Sequence, residues 1–478
     1  MQRWKNIRIR KRHRWLVIPF LVIVIGLAVA RQYLTWRDEN DPEKDAFQKI
    51  RQRGFLIALT DKNSLNYFIY RGEPMGFQLN LLHSFADYLD VPLKVIASDD
   101  ISKLYYYLDM NVGDILAFNL PVTGEGKRLM HFSETLGETR FVLVQRRTPA
   151  KNNTRTVKFI KSPTEFENDT VYMQRNMFNR PVLAHFLRKA GRNLTLVEDS
   201  RKNSVELLRM VAEGKIDYAI CDENLAMVIK HAFPILDDET VITGFYNYGW
   251  AVAKPSASLL RQINEWITQI KKNKELKHTY LSYYDNPAIP GYYSNDYFSL
   301  RSRKISPFDD LIRKQSKVIS WDWRLLASLI YEESNFHLGV ISSRRASGLM
   351  QLMPETADKF GMNPNSSPAQ QLAAGVKFLK WLDNQLSSGI TDPKERISFI
   401  LGAYNVGIGR VLAAREKAAK YGKDPSKWNN NVGYYLTRKS IKNPDPPDSA
   451  DLSSPTGAGR FVEDILERYQ DYRNNIPE

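Results

Sequence analysis

The sequence predicts a multidomain molecule: a two-lobed α/β region, then an all-α domain, behind an N-terminal membrane segment. Three observations predict it. Strand-length apolar runs alternate with amphipathic stretches between Phe55 and Ala253, and the pattern restarts once part-way. From Ser306 onward apolar residues recur at helical spacing and no convincing strand appears. Residues 15–30, WLVIPFLVIVIGLAVA, are uncharged and follow a flank bearing Arg3, Lys5, Arg8, Arg10, Lys11, Arg12 and Arg14.

A chain of 478 residues has room for several domains of about 100–200 residues each. Hydrophobic content of 43% and charged content of 25% are those of a globular protein. The net charge of +15 is concentrated in the N-terminal flank, and no basic-aromatic pattern suggests a nucleic-acid partner. Cys221 is the single cysteine, which excludes an intrachain disulfide and a cysteine-cluster metal site. Its apolar surroundings, Ile216 to Cys221, make it a small buried hydrophobe. The seven histidines show no ligand spacing. No metal and no organic cofactor are expected.

Residues 15–30 fall short of the about 20 residues needed for a comfortable span. Two readings stand: an uncleaved anchor with residues 1–14 left in the cytoplasm, or a signal segment cleaved after Ala28-Val29-Ala30. Either puts the rest of the chain on the extracytoplasmic side of a membrane. Residues 31–47 form a polar stalk. Strands are expected at 55–59, 91–97, 114–118, 141–144, 170–173, 194–197, 217–221 and 250–253. Helices at 79–89, 101–108, 182–190, 204–213 and 259–284 lie among and after them. Such alternation implies parallel strands with crossover helices, in two lobes of a hinged clamshell spanning 48–284. Its cleft is the natural ligand site. Residues 285–305, rich in Pro, Gly, Tyr and Ser, are a linker. The helical domain spans 306–478, with helices at 307–318, 323–333, 368–386, 395–404, 410–421 and 461–472.

One helix carries an anomaly. Leu326, Leu329, Ile330 and Glu333 fall at i, i+3, i+4 and i+7, so a carboxyl shares an apolar stripe. Glu332 is turned about 100° away and is expected to face solvent. Burial on that stripe predicts a raised pKa for Glu333, which suits a general acid. Glu355, in a first helical turn, is better explained by the helix dipole.

The α/β region resembles the family 3 periplasmic solute-binding proteins. The resemblance rests on Gly54-Phe55-Leu56, Met75-Gly76-Phe77, His131-Phe132-Ser133, Gly214-Lys215-Ile216-Asp217-Tyr218 with Asp222, and Tyr248-Gly249-Trp250-Ala251-Val252. It implies a clamshell whose cleft takes a ligand, with Asp222 facing it; a helix N-cap is the other reading of Asp222. In that family an arginine upstream of the Phe-Ser pair clamps a ligand carboxylate. Here Arg128 stands four residues before Phe132 and Gly126 holds the usual place, so the clamp is altered; Arg128 is a ligand-binding candidate of the clamshell, with a solvated loop charge as its other reading.

The helical domain resembles the soluble lytic transglycosylase family, on Glu333-Ser334, Gly348-Leu349-Met350-Gln351-Leu352-Met353-Pro354 and Ala403-Tyr404-Asn405. The resemblance implies a lysozyme-like fold and non-hydrolytic cleavage of peptidoglycan glycan strands to 1,6-anhydromuramic ends. Glu333 is then the catalytic residue, and Ser334, Met350, Gln351, Tyr404 and Asn405 the substrate-binding ones. Met350 and Met353 are candidates for the sugar groove, with core packing the alternative for Met353. Local backbone bonding for Ser334, a loop amide for Gln351 and a helix C-cap for Asn405 also stand open. The family's Glu-Thr pair and Tyr-Val near the last helix are replaced by Gly457 to Val462, with Phe461 in the tyrosine's place. Tyr434 or Tyr435 is the candidate source of the missing hydroxyl. Muropeptides are the expected ligands of the clamshell. A non-catalytic envelope receptor and a lysozyme-type hydrolase are the alternatives.

Overall fold

A computed structural model describes residues 46–63, 65–147, 158–190, 194–286, 292, 297–299, 303–437 and 457–477. The expected membrane segment at 15–30 lies outside the described residues, among which no helix is long and apolar enough to cross a membrane.

The first lobe contains α1 (Ala46–Arg53), β1 (Leu56–Asp61), the hairpin β2 (Phe68–Tyr70) and β3 (Glu73–Met75), α2 (Phe77–Leu89), β4 (Leu93–Ser98), α3 (Ile101–Asp109), β5 (Ile115–Pro121), α4 (Gly124–Leu129), β6 (Met130–Phe132) and β7 (Gly137–Thr139). The second contains β8 (Phe141–Arg146), β9 (Asp169–Gln174), α5 (Asn179–Ala190), β10 (Leu194–Asp199), α6 (Ser204–Ala212), β11 (Tyr218–Asp222), α7 (Glu223–Ala232) and β12 (Leu236–Val241). The chain then recrosses as β13 (Tyr246–Ala253), followed by α8 (Ala257–Lys272) and α9 (Glu275–Tyr284).

The sheet orders are β4-β1-β5-β13-β6, with β7 also on β13, and β10-β9-β11-β8-β12. The expected parallel pairing holds for β1 with β4 and β5, and for β9 with β10 and β11. It fails for β8 and β13, which run antiparallel to their neighbours. Both strands enter their sheet directly from the other lobe, without the crossover helix that parallel pairing needs. The run at 141–144 therefore opens the second lobe. In the first lobe Trp250 stacks on Trp266 at 5.0 Å and its Nε1 donates to Gln78 Oε1 at 2.7 Å.

The helical domain comprises α10 (Asp309–Ser316), α11 (Trp323–Ser334), α12 (Pro354–Phe360), α13 (Pro368–Leu386), α14 (Pro393–Val406), α15 (Ile408–Lys420), α16 (Gly433–Thr437) and α17 (Ala458–Asn475). Its helix starts are written locally. Asp322 accepts from the Arg324 amide at 2.9 Å. Ser367 and Gln370 form a capping box around Pro368. Asp392 accepts from the Lys394 amide ahead of α14. Leu326, Leu329, Ile330, Leu372, Leu382 and Leu401 are fully buried in one core.

That core has one member from the other domain. Ile69, at 0% exposure, comes from the β2–β3 hairpin. The hairpin tip at Gly72 is ringed by Tyr331, Phe336 and Tyr472. One strand-length away, Tyr67 donates its hydroxyl to Asp471 of α17 at 2.6 Å. Residues expected to be a free linker take part too: Tyr292 stacks on Tyr70 at 4.0 Å and Ser299 Oγ accepts from the Ile69 amide at 2.9 Å.

Candidate active site

Helix α11 presents Leu326, Leu329 and Ile330 to the core, and the same stripe carries Glu333 at its C-terminal end. Glu333 is half-buried. Among the described residues nothing hydrogen-bonds or ion-pairs with its carboxyl. Loss of water first, and then the neighbouring charge of Glu332, push its pKa up to about 8. The group therefore holds a proton at neutral pH.

Glu332 does not face solvent as its register suggests. It lies half-buried, 3.6 Å from Arg468 of α17, and burial raises its pKa while Arg468 opposes the rise. Arg468 also reaches Glu73 of the hairpin at 3.6 Å and lies over the Tyr331 ring at 4.0 Å. The helix face beside Glu333 is thus covered by α17 and by the hairpin, two packings that no local periodicity encodes.

The loop between α11 and α12 folds back over the end of α11. Ser347 and Leu352 exchange backbone bonds, each at 3.1 Å. Ser334 is buried and its hydroxyl donates to Leu349 O at 2.8 Å, while Gln371 Oε1 of α13 accepts from the Leu349 amide at 3.0 Å. Ser334 thereby holds the loop through backbone bonding. Gln351 sits at φ +43 with Nε2 donating to Val340 O at 2.8 Å and Gly348 O at 2.9 Å. Its two amide hydrogens are committed to the loop. The two methionines exchange their expected places. Met350 is 1% exposed and packs against Gly375, whereas Met353 is 45% exposed.

Tyr404, near the end of α14, donates its hydroxyl to Met350 O at 2.5 Å. Burial first, and then the nearby Glu333 charge, push its phenol well above the ordinary value. Glu333, Met350 and Tyr404 are thereby brought together. Asn405 is exposed, and the C-cap of α14 is Gly407 at φ +87 instead. Phe461 packs on the domain core, and the Tyr435 hydroxyl makes no hydrogen bond among the described residues. Gln371, Arg468 and Glu73 support this region without any signal in the sequence motifs; Gln371 lies within the α13 periodicity and reads as an ordinary helical amide.

The clamshell residues separate. Asp222 lines a cavity of about 60 Å³ between the two lobes. It occupies the N-cap position of α7 yet caps nothing with its side chain, which instead accepts from the Tyr246 hydroxyl. Arg128 lies exposed on α4 and does not line the cavity, because the short helix turns it outward and places buried Gly126 against Phe132 and Phe178.

The description "Transglycosylase SLT domain" matches residues 310–428, and "Bacterial extracellular solute-binding proteins, family 3" matches residues 56–286. The chain is similar to membrane-bound lytic murein transglycosylase F of Desulfosudis oleivorans, at 29% identity over 88% of this chain and 89% of that protein. It is also similar to the protein of that name from Pseudomonas fluorescens (strain Pf-5), at 28% identity over 87% of this chain and 82% of that one. Over most of its length the chain is thus similar to proteins named membrane-bound lytic murein transglycosylase F, with a solute-binding region followed by a transglycosylase SLT domain. Among solved structures, holo ArgBP from T. maritima is similar at 20% identity and a TM-score of 0.40, over 47% of this chain and 93% of that one. In this chain, the motif residues Glu333, Met350 and Tyr404 meet at one end of α11, and the solute-binding part touches the same helix through Glu73 and Gly72.

Proposed function

We propose that the chain is a murein lytic transglycosylase in which Glu333 is the single acid–base group. The observation that carries this reading is a proton-holding carboxyl on an apolar helix end, with no cation paired to it among the described residues. Cleavage of the β-1,4 bond between N-acetylmuramic acid and N-acetylglucosamine needs a proton on the leaving oxygen. Glu333 gives that proton as the C1–O4 bond breaks. The muramic C6 hydroxyl then attacks C1 and returns its proton to the Glu333 carboxylate. Atoms balance without water, and the 1,6-anhydro ring closes. Glycosidases that use water keep a second carboxylate in place to serve it. Glu332 is the adjacent acid here, and it is engaged with Arg468.

Ser334, Met350 and Gln351 serve by fixing the loop. Tyr404 joins that loop to α14, and exposed Asn405 and Met353 are placed to meet the glycan. Mass spectrometry of the products tests the chemistry: lyase products are lighter by one water than the products of hydrolysis. Hydrolytic masses would overturn the reading.

The clamshell is a sensor of soluble cell-wall fragments, and the β2–β3 hairpin is its contact with α11. The supporting observation is the continuous path from cleft-lining Asn66 through Tyr67 to Asp471, and through Gly72 to Tyr472 and Tyr331. Residues 15–30 hold the molecule at an envelope membrane with the two domains, divided at 285–305, on the periplasmic side. Cleavage rates of the intact protein with and without muropeptides test the sensing; equal rates would remove it.

A further inference from the structure

One segment of the second lobe is buried in the first. Residues 174–178 join the end of β9 to the start of α5. Phe178 is 1% exposed, yet it takes no part in the second lobe's own core of Phe166, Met173, Leu183 and Phe186. Its ring packs in a cluster whose other buried members, among them Leu104, Phe118 and Met130, belong to the first lobe. Tyr105 meets the ring edge-on at 5.0 Å, and Phe132 does so at 6.4 Å. Gly126 gives the ring its seat: a Cβ there would lie 3.1 Å from the Phe178 ring and 2.8 Å from the Phe132 ring. Buried Asn176 ties the segment down. Its Oδ1 accepts from the Phe178 amide at 3.1 Å and from the Tyr105 hydroxyl at 2.8 Å, so one oxygen both shapes the turn and bridges the lobes. Gln174 Nε2 adds a cross-lobe bond to Asp99 O at 3.5 Å. Parting the lobes would bring the Phe178 ring into water and strip Tyr105 of its acceptor, and both changes oppose opening. The cavity that this closure leaves between the lobes is about 60 Å³, room for only a few water molecules.

We propose that Phe178 is a latch built into the clamshell: carried by one lobe and seated in the other, its ring holds the lobes together, and a molecule enters the cleft only after the ring leaves its seat. Closure then draws on the protein's own side chains, and the closed-to-open ratio is set by how well Phe178 fits over Gly126. The latch acts whatever molecule the cleft takes, and it does not depend on the clamshell being a sensor.

Double electron–electron resonance on the full chain tests it. Spin labels go on Asp109→Cys of α3 and Lys189→Cys of α5, both exposed and on opposite lobes, with Cys221→Ala removing the one native thiol. The parent labelled in this way is expected to show one predominant short distance. Phe178→Ala is expected to raise the open-to-closed ratio by roughly tenfold or more, seen as a second, longer distance. Gly126→Leu fills the same seat from the opposite lobe and is expected to shift the ratio in the same direction. The parent and Gly126→Leu measurements stand even if Phe178→Ala fails to fold. An unchanged distance distribution in either folded variant would overturn the proposal. A parent that is predominantly open before either substitution would overturn it too.

Discussion

The hydroxyl of Tyr472 donates a 2.7 Å hydrogen bond to the carbonyl of Gly72, 400 residues earlier in the chain. Around that bond the two domains meet. Gly72 is at φ +84 on the tip of the lobe-one hairpin, and Tyr472 is on α17 against the helix that carries Glu333. Tyr331, two residues before Glu333, donates to Glu73 beside the same tip.

Gly72→Ala tests this contact. A Cβ there would lie 2.7 Å from the rings of both Tyr331 and Phe336, at a backbone angle that side chains disfavour. Loss of about 1–3 kcal/mol is expected, together with a weaker response of cleavage to muropeptides. Thermal melting and rate measurements check both. An unchanged melt with an unchanged response would show that the hairpin seat carries nothing.

The rate of murein cleavage should depend on pH through Glu333. Its acid form is the reactive one and its pKa is about 8, so the rate holds below that value and falls as pH rises through it. An initial-rate profile on purified murein checks this. A rate that rises through the same range would mean that Glu333 first acts as a base.

Asp471 gives the domain contact its own pH dependence. The folded state holds the Asp471 proton up to about 7, chiefly through burial, while the unfolded chain releases it near 3.8. The folded state binds more protons between those values, so this contribution is fully present below the lower one and is lost as pH rises through about 7. Its size is on the order of 4 kcal/mol at most. Asp471→Asn keeps an acceptor for Tyr67 and should flatten that part of the profile, raising the melting temperature near neutral pH. A variant melting lower than the parent at neutral pH would contradict this.

Packing beneath the active-site loop should show coupling. A Cβ on Gly375 would fall 2.2 Å from Met350 Sδ. Gly375→Ala is expected to cost about 1–3 kcal/mol, and Met350→Ala in the same molecule to return part of it. Additive losses in a double-mutant cycle of melting curves would argue against direct packing.

Local signals made much of this legible. Ser367, Pro368 and Gln370 write the start of α13, and Leu372 to Leu386 write its buried face, so the expected 368–386 is the observed helix. Glu333 stands out because its register contradicts its charge. What the sequence hid is long-range. The position of Glu332 depends on Arg468, and that of Ile69 on a core more than two hundred residues away. Met350 and Met353 lie in a loop with no period, so nothing local ranks their burial. The antiparallel β8 and β13 follow from where the chain crosses between lobes, which apolar runs do not report.

The proposed mechanism stands or falls on one half-buried acid, Glu333, performing the cleavage. Its most direct measurement is the yield of anhydro-muropeptides from purified murein by Glu333→Gln, with murein binding followed in parallel. A rate lower by about 10²–10⁴-fold is expected with binding retained, since the amide fills the same space without a proton to give. Anhydro products formed at the parent rate would contradict it.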